Sequence, residues 1–405
     1  MSRAARRAAL GLALVASGAG VAGCGDDPTG EKAGATKVAA YLGVPLRGPW
    51  GERGLAVTAG AELALADSGG GAGGFSLRLS ERDVTDDDGV TVGVAGAARE
   101  AGVMLRDSGT VGAIAGVSAI SVREYGLLAG QTGVAFVAAS GDDQTESGVD
   151  LQPRGTRSSV DLSATDAAVR AGVIARVRAA DCRRPVVADA RSPVTGRAYD
   201  LTALRPVAKA AAASWDDAKL RTTVSLALRD RRADCVVLTG DPSGGDPADL
   251  LESIGSRIDG HRLFLSRGAA SPATADLVRT RGLTAEAVVD DGVPDATAEG
   301  RRIDGLYRAL YDTPAPVGVL VGWRSTKLLL RALGNAGSKG NRRDGVRAGL
   351  LRAAIPGPPA EGRQNPDGTV TTPALSVAKA EPYGWRAVEA LDPADPAKPA
   401  VSTSR

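Results

Sequence analysis

Of the residue types that carry acid–base, nucleophilic or metal chemistry, this chain of 405 residues has one histidine and three cysteines. His261 stands in SRIDGHRLF, at a turn into a strand, and reads as an exposed turn residue. No GxSxG elbow accompanies it, so a His-dependent triad has no nucleophile to serve. Gly69 to Gly74, GGGAGG, matches the dinucleotide fingerprint by letter. That motif must follow a strand and open a helix; here it follows a helix and opens a strand. No GxxxxGK(S/T) loop is present either, which argues against nucleotide hydrolysis. The acids of DVTDDDG (83–89) invite a calcium reading, but EF-hand spacing fails at Val84 and Ala95 stands where the bidentate Glu belongs. They read instead as caps for a helix near 89–101, favouring its positive end. Neither catalysis, metal nor cofactor is expected.

Cys24 is a different matter. It ends the stretch LVASGAGVAGCGDD (14–27), behind Arg3, Arg6 and Arg7 and ahead of the first acid, Asp26. The apolar part, Ala8 to Ala22, is about 15 residues long and interrupted by glycines, against the roughly 20 needed to cross a bilayer core. A basic head, a short apolar middle and small residues before a cut form the pattern of a secretory signal. Val21-Ala22-Gly23-Cys24 resembles the bacterial lipobox, in which the thiol takes a diacylglyceryl group and becomes the new N-terminus. Residues 1–23 are therefore expected to be removed and Cys24 to hold the protein to the outer face of a bacterial cell membrane, since two or more acyl chains are needed for lasting attachment.

Cleavage removes Arg3, Arg6 and Arg7, so 49 basic residues against 47 acidic become 46 against 47. A chain so nearly neutral has no drive toward phosphate backbones, and nucleic acid is excluded as a partner. Cys182 and Cys235 remain, an even number in an oxidising compartment. Aromatic residues make up only 3% of the chain, which argues against a large stacking pocket.

The elements that must position any site alternate between short apolar strands and amphipathic helices, the pattern of parallel sheets flanked by helices. After the tether GDDPTGEKAGAT (25–36), VAAYLGV (38–44) leads into a helix over 52–67; FSLRLSE (75–81), VGAIAGV (111–117) and VAFVAAS (134–140) are strands, with helices at 89–101 and 121–130. A second series follows: a helix near 163–180, strand PVVADA (185–190), an Ala-rich helix over 195–214, strand CVVLTG (235–240), a helix at 246–255 and strand RLFLSRG (262–268). AEAVVDDGV (285–293), helices near 297–312 and 317–336, and a strand pair near 369–389 complete the pattern. Two lobes of this kind leave a cleft at the carboxyl ends of both sets of strands, where open α/β sheets bind ligands, and a hinged pair of lobes can close over a small molecule.

GVPLRGPWGERGLAVTAGAELALAD (43–67), AIAGVSAIS (113–121), TGVAFVAASGDD (132–143), GWRSTKLLLRALGNAGS (322–338) and DGTVTTPALSVAKAEPYGWRAVEAL (367–391) resemble, in order and spacing, the substrate-binding lipoproteins of ABC transporters in the branched-chain amino acid (Leu/Ile/Val-binding) group. The resemblance implies an α/β fold of two Rossmann-like lobes joined by a hinge, the type I periplasmic-binding fold. It divides the chain into lobe 1 (37–158 plus about 285–335), lobe 2 (159–284 plus about 336–390) and a disordered tail (391–405).

It also implies site residues. Trp50 and Arg53, at the turn out of the first strand into a helix N-terminus, would overhang the cleft. Ser118 follows the third strand, and Ser121 is a candidate helix cap. Ser140, Gly141 and Asp142 follow the fourth strand, where the family presents backbone amides and a small hydroxyl to a carboxylate. In the second lobe Thr195 replaces the aromatic residue common in the family. Ser266-Arg267-Gly268 replaces the acid that meets a ligand's ammonium group. A buried ammonium without a carboxylate is costly, so either the ligand lacks an amino group or another acid such as Asp241 serves; Arg267 with Arg53 would suit an anion. The family layout makes the strands at Pro185 and Cys235 parallel neighbours, which implies a Cys182–Cys235 bridge away from the cleft, two free buried thiols being the alternative. The implied function is a non-enzymatic, monomeric, lipid-anchored receptor that delivers a small polar solute (a branched-chain amino acid, an amide or a related carboxylate) to a membrane permease. The alternative is a surface lipoprotein of the same fold that acts as sensor or interaction partner.

Overall fold

The computed structural model describes residues 36–140, 157–190 and 199–397, positions 91 and 231 excepted. The signal-like segment, Cys24, Gly141, Asp142 and Thr195 lie outside those residues. The first sheet contains β1 (Lys37–Val44), β2 (Gly71–Ala72), β3 (Phe75–Asp83), β4 (Thr110–Ala115), β5 (Ala135–Ala138) and β6 (Ser159–Asp161), in the order β2-β3-β1-β4-β5-β6. All its pairings are parallel except that of the short β2. Strand β1 is buried on both faces, as a central parallel strand must be. Val38, Ala40, Leu42 and Val44 enter one core, and Ala39 and Tyr41 the other.

Helices α1 (Gly51–Asp67), α2 (Val94–Arg106) and α3 (Ala119–Thr132) connect these strands. Helix α2 begins at Val94 rather than near 89, and Asp86 of the acid-rich loop accepts from the Gly96 N–H at 2.6 Å in its first turn. The second lobe adds α4 (Asp166–Ala179), β7 (Pro185–Ala190), β8 (Ala208–Ala212), α5 (Ala218–Arg229), β9 (Cys235–Gly240), α6 (Pro247–Ile254), β10 (Arg262–Ser266), α7 (Pro272–Thr280) and β11 (Thr284–Val289). The chain then returns through α8 (Ala298–Tyr311), α9 (Val319–Ala336) and α10 (Arg343–Arg352), and ends on the hairpin of β12 (Ser376–Glu381) and β13 (Gly384–Ala390). The second sheet has the order β13-β12-β11-β10-β9-β7-β8.

Three expectations are corrected by this arrangement. The Ala-rich stretch placed in a helix over 195–214 contains β8, whose AKAAA pairs in parallel with β7 along the sheet edge. Alanine's helix propensity is a weak prior that tertiary pairing overrides. The lobe boundaries also move. Strand β11 belongs to the second sheet, with Val288 in one of its cores and Val289 in the other. Helix α10 belongs to the first lobe, because Val346 and Leu350, four residues apart, enter the core under β4 and β5. The tail begins later than 391: Leu391 is buried in the second lobe, and its N–H donates to the Leu375 carbonyl.

Helices α1 and α9 cross with their backbones in contact. A Cβ on Gly60 would lie 1.9 Å from the Val319 carbonyl oxygen, and one on Gly322 would lie 2.0 Å from that of Val57. Only glycine fits at such a crossing.

The chain passes between the sheets three times, through residues 162–165, 290–297 and 353–375. Buried charges tie these passages to the lobes. Asp291 is 2% exposed and accepts from the N–H of Gly292 at 2.8 Å and of Gly318, at the start of α9, at 2.6 Å. Burial pushes its carboxyl up to about 6 against those hydrogen bonds and the charge of Arg53. Arg324 is 1% exposed and donates to the carbonyls of Pro356 and Thr372 in the third passage. Burial lowers its guanidinium to about 10, with Asp291 opposing.

Cys182 and Cys235 are joined, with Cα atoms 6.1 Å apart, at the amino ends of β7 and β9 and away from the carboxyl-end loops. The bridge closes a loop with a sequence separation of 53. Denaturant titration of oxidised and reduced protein should therefore show about 4 kcal/mol less stability after reduction; identical midpoints would refute that contribution.

Asp291 gives a second prediction. A carboxyl whose folded pKa exceeds its unfolded value binds more protons folded than unfolded between the two. Its contribution to stability is thus full below about 4 and declines as pH rises toward about 6. Asp291→Asn cannot titrate. Between pH 4 and 6 its unfolding free energy should gain roughly 1–3 kcal/mol relative to wild type, and parallel pH profiles would contradict this.

Candidate functional site: the cleft between the lobes

Every group at the cleft comes from a carboxyl-end loop or from the turn that follows it. In the first lobe, the GPWGERG turn after β1 places Trp50 as the residue before α1 and Arg53 in its first turn. After β4, Val117 adopts a positive φ of 73°, a conformation a β-branched residue rarely takes. Its N–H donates to the Ser140 hydroxyl at 3.0 Å, and Ser140 follows β5. The next residue, Ser118, caps α3 by accepting from the Ile120 N–H at 3.2 Å. The cap expected at Ser121 is thus at Ser118. Ser121 lies inside the first turn and donates to the carbonyls of Gly116 and Ser118.

In the second lobe, Asp241 follows β9, Arg267 follows β10 and Asp290 follows β11. Gly268 lets the first two loops meet, since a Cβ there would lie 1.8 Å from the Gly240 carbonyl oxygen. Asp241 accepts from the Ser243 N–H at 2.9 Å through Oδ1.

The two walls touch. Trp50 Nε1 donates to the Gly245 carbonyl at 3.2 Å, and Arg53 reaches the Arg267 carbonyl at 3.4 Å and Asp290 Oδ1 at 3.3 Å. In the reverse direction, Asp241 Oδ2 accepts from the N–H of Ala119, the first residue of α3, at 3.5 Å. A carboxylate from one lobe thus rests on a helix N-terminus of the other, where the unpaired amides and the helix dipole favour negative charge. The molecule is in a closed state. Among the described residues, Arg53, Val117 and Ser140 on one side and Pro242, Arg267 and Asp290 on the other wall a small space with room for roughly one water molecule.

The electrostatics at this point are those of a desolvated cluster. Arg53 is 7% exposed, Arg267 4% and Asp290 1%. Asp290 lies between the two guanidinia, with Arg267 Nη1 at 3.3 Å from its other oxygen. Arg267 is further held by Asp166 at 2.6 Å and by the Ala164 carbonyl at 2.8 Å, in the first passage between lobes. Burial lowers the Arg53 pKa, with Asp290 and Asp291 opposing that shift. Among the described residues the Arg53 Nε has no hydrogen-bond partner.

The structure therefore brings together Trp50, Arg53, Ser118, Ser140, Asp241 and Arg267, while Gly141, Asp142 and Thr195 fall outside the described residues. It adds Asp290, which sequence reasoning passed over. The available signal was the Asp290-Asp291 pair within the stretch AEAVVDDGV (285–293).

No family model matches the chain, and no curated protein does. Solved structures do. A solute-binding protein of an ABC transporter from R. palustris, in complex with benzoate, superposes with a TM-score of 0.69 at 16% identity, over 92% of this chain and 98% of that one. The leucine-binding protein LivK from Thermotoga maritima gives 0.68 at 15%, over 88% and 99%. The branched-chain amino acid substrate-binding protein LivJ from Streptococcus pneumoniae, in complex with isoleucine, gives 0.68 at 14%, over 88% and 99%. The chain has the two-lobed α/β architecture of these proteins, the type I periplasmic-binding fold.

Proposed function

We propose that this protein is the extracytoplasmic solute receptor of an ABC importer, non-enzymatic and held to the membrane through lipid on Cys24. One observation carries the reading: the carboxyl-end loops of two separate sheets meet face to face and bond across the gap through Trp50, Arg53 and Asp241. A fold that served only as a scaffold has no need to place buried charges at that junction, where their desolvation is costly. The structures it resembles are solute-binding proteins, which supports the same assignment.

The mechanism follows from the contacts. Between the described walls a solute larger than one water molecule is admitted as the lobes part, which breaks the Trp50–Gly245, Arg53–Asp290 and Ala119–Asp241 contacts. Closure over the solute returns when its polar groups take the places those side chains held. The solute then shifts the population toward the closed form to the extent that it binds that form more tightly. The solute class is a small polar molecule: a branched-chain amino acid, an amide or a related carboxylate. Closed lobes would present one continuous face to a permease, and the protein acts as a monomer. Among the described residues no helix is long and apolar enough to cross a membrane, consistent with attachment by acyl chains.

Two measurements test this reading. Thermal melting of the intact protein with a panel of amino acids, amides, short peptides and carboxylates should give a raised midpoint with at least one. Ligand at 100 times its Kd adds about 2.7 kcal/mol to the folded state; silence across the panel would favour a sensor or partner-binding role. Separately, Cys24→Ser expressed in a bacterium should release the protein from the membrane fraction and abolish labelling by a fatty-acid precursor. Unchanged membrane retention and labelling would remove the lipid anchor from the proposal.

A further inference from the structure

The end of the first lobe opposite the cleft gathers positive charge, and it is also where the chain leads back toward Cys24. Strands β1, β3, β4, β5 and β6 pair in parallel, so their amino ends share one edge of the sheet. Lys37, the first residue of β1, is exposed there. Arg106 closes α2 just before β4 and is exposed as well. Lys339, also exposed, precedes Gly340, where a Cβ would lie 2.4 Å from the Phe75 ring at the start of β3. Arg347 of α10 has Nη1 3.6 Å from the place a Cβ would take on Gly133, in the turn into β5. These four cations make no ion pair among the described residues.

The acids at this end are already matched. Asp107 holds the exposed Arg78 at 2.6 Å and Asp344 holds the exposed Arg342 at 3.1 Å. Beside β6, Asp367 offsets Arg157. Residues 25–36 bring Asp26, Asp27 and Glu31 against Lys32, which reduces the surplus without cancelling it. Exposed acids of the same lobe, Asp87 and Asp88, follow β3 at its carboxyl end. The lobe is therefore polar along its strands, which the near neutrality of the whole chain conceals. The stretch from Cys24 to Lys37 can span at most about 45 Å, so an acylated Cys24 keeps this positive end close to the bilayer.

We infer that, with Cys24 anchored as proposed, the amino-end face of the first lobe rests on anionic phospholipid headgroups. The carboxyl ends of the strands, and with them the cleft, then face away from the membrane, toward arriving solute. The contact orients the protein and does not hold it by itself. Exposed charges are screened within about 8 Å at physiological salt, and lasting attachment takes a second signal, so protein without acyl chains still leaves the membrane fraction.

The test needs no lipid on the protein. The chain from residue 24 onward, carrying Cys24→Ser, is floated with vesicles of phosphatidylcholine, alone or with an equal share of phosphatidylglycerol. At roughly 10 mM salt, where the Debye length is about 30 Å, it should partition at least about tenfold more strongly onto the anionic vesicles. About 1 M salt should abolish the difference. Each cation near such a surface is worth about fivefold, so combining Arg106→Gln, Lys339→Gln and Arg347→Gln should cost about 100-fold. Combining Lys219→Gln, Arg221→Gln and Arg257→Gln, exposed cations of the second lobe, changes net charge equally and should leave the partition nearly unchanged. Should the first triple variant fail to fold, Lys37→Gln alone should cost about fivefold. Equal partition onto both kinds of vesicle overturns the inference, as does equal loss in the two triple variants or no loss in the first. Those results leave the acyl anchor and the receptor reading standing. Absence of fatty-acid labelling in the intact protein overturns the anchored pose whatever the vesicles show.

Discussion

Two adjacent carboxylates, Asp290 and Asp291, are the constraint on which the rest of this molecule turns. They leave the end of β11 in opposite services. Asp290 holds Arg53 of the first lobe and Arg267 of the second, while Asp291 fastens the start of α9 through Gly318. Arg267 extends the network to Ala164 in the first passage between lobes, and Arg324 binds the third. Each of these charges is almost wholly removed from water, and removing one partner of such a set commonly costs 3–5 kcal/mol because the other is left uncompensated. Site and hinge are therefore built from one set of ions. The same ions connect the cleft to the segments that join the lobes.

Much of the architecture was legible because its local signals agree with its global arrangement. Strand β9 and helices α8 and α9 fall within about two residues of their expected limits, as uniform apolar runs and regular helical spacing allow. Strand β8 was not legible. Five residues of AKAAA carry a helix-forming composition, and only the neighbouring β7 backbone makes them a strand. The lobe boundaries failed for a related reason. Nothing local to Val288, Val346 or Leu350 states which of two similar cores each will join.

The site was legible in part. Resemblance placed Trp50, Arg53, Ser118, Ser140, Asp241 and Arg267 at the right ends of the right strands, because loop position follows from strand order. It did not show that the walls bond to each other, nor that Asp290 sits between two arginines. The contacts between the walls join residues far apart in the chain, 237 positions for Arg53 and Asp290, 195 for Trp50 and Gly245 and 122 for Ala119 and Asp241. The Ser118 cap, displaced from the reading at Ser121, turns on the left-handed Val117, a backbone state that valine itself does nothing to advertise.

The glycine crossing of α1 and α9 has a mechanical meaning. With Gly60 against Val319 and Gly322 against Val57, main chain abuts main chain, and no layer of pliable side chains lies between to let one helix slide along the other. Arg53 rides on the front of α1, and the front of α9 is moored to Asp291. The pair is in effect a stiff lever pinned near its fulcrum, so that swinging one jaw by a few degrees carries the guanidinium bodily away from its counter-ion.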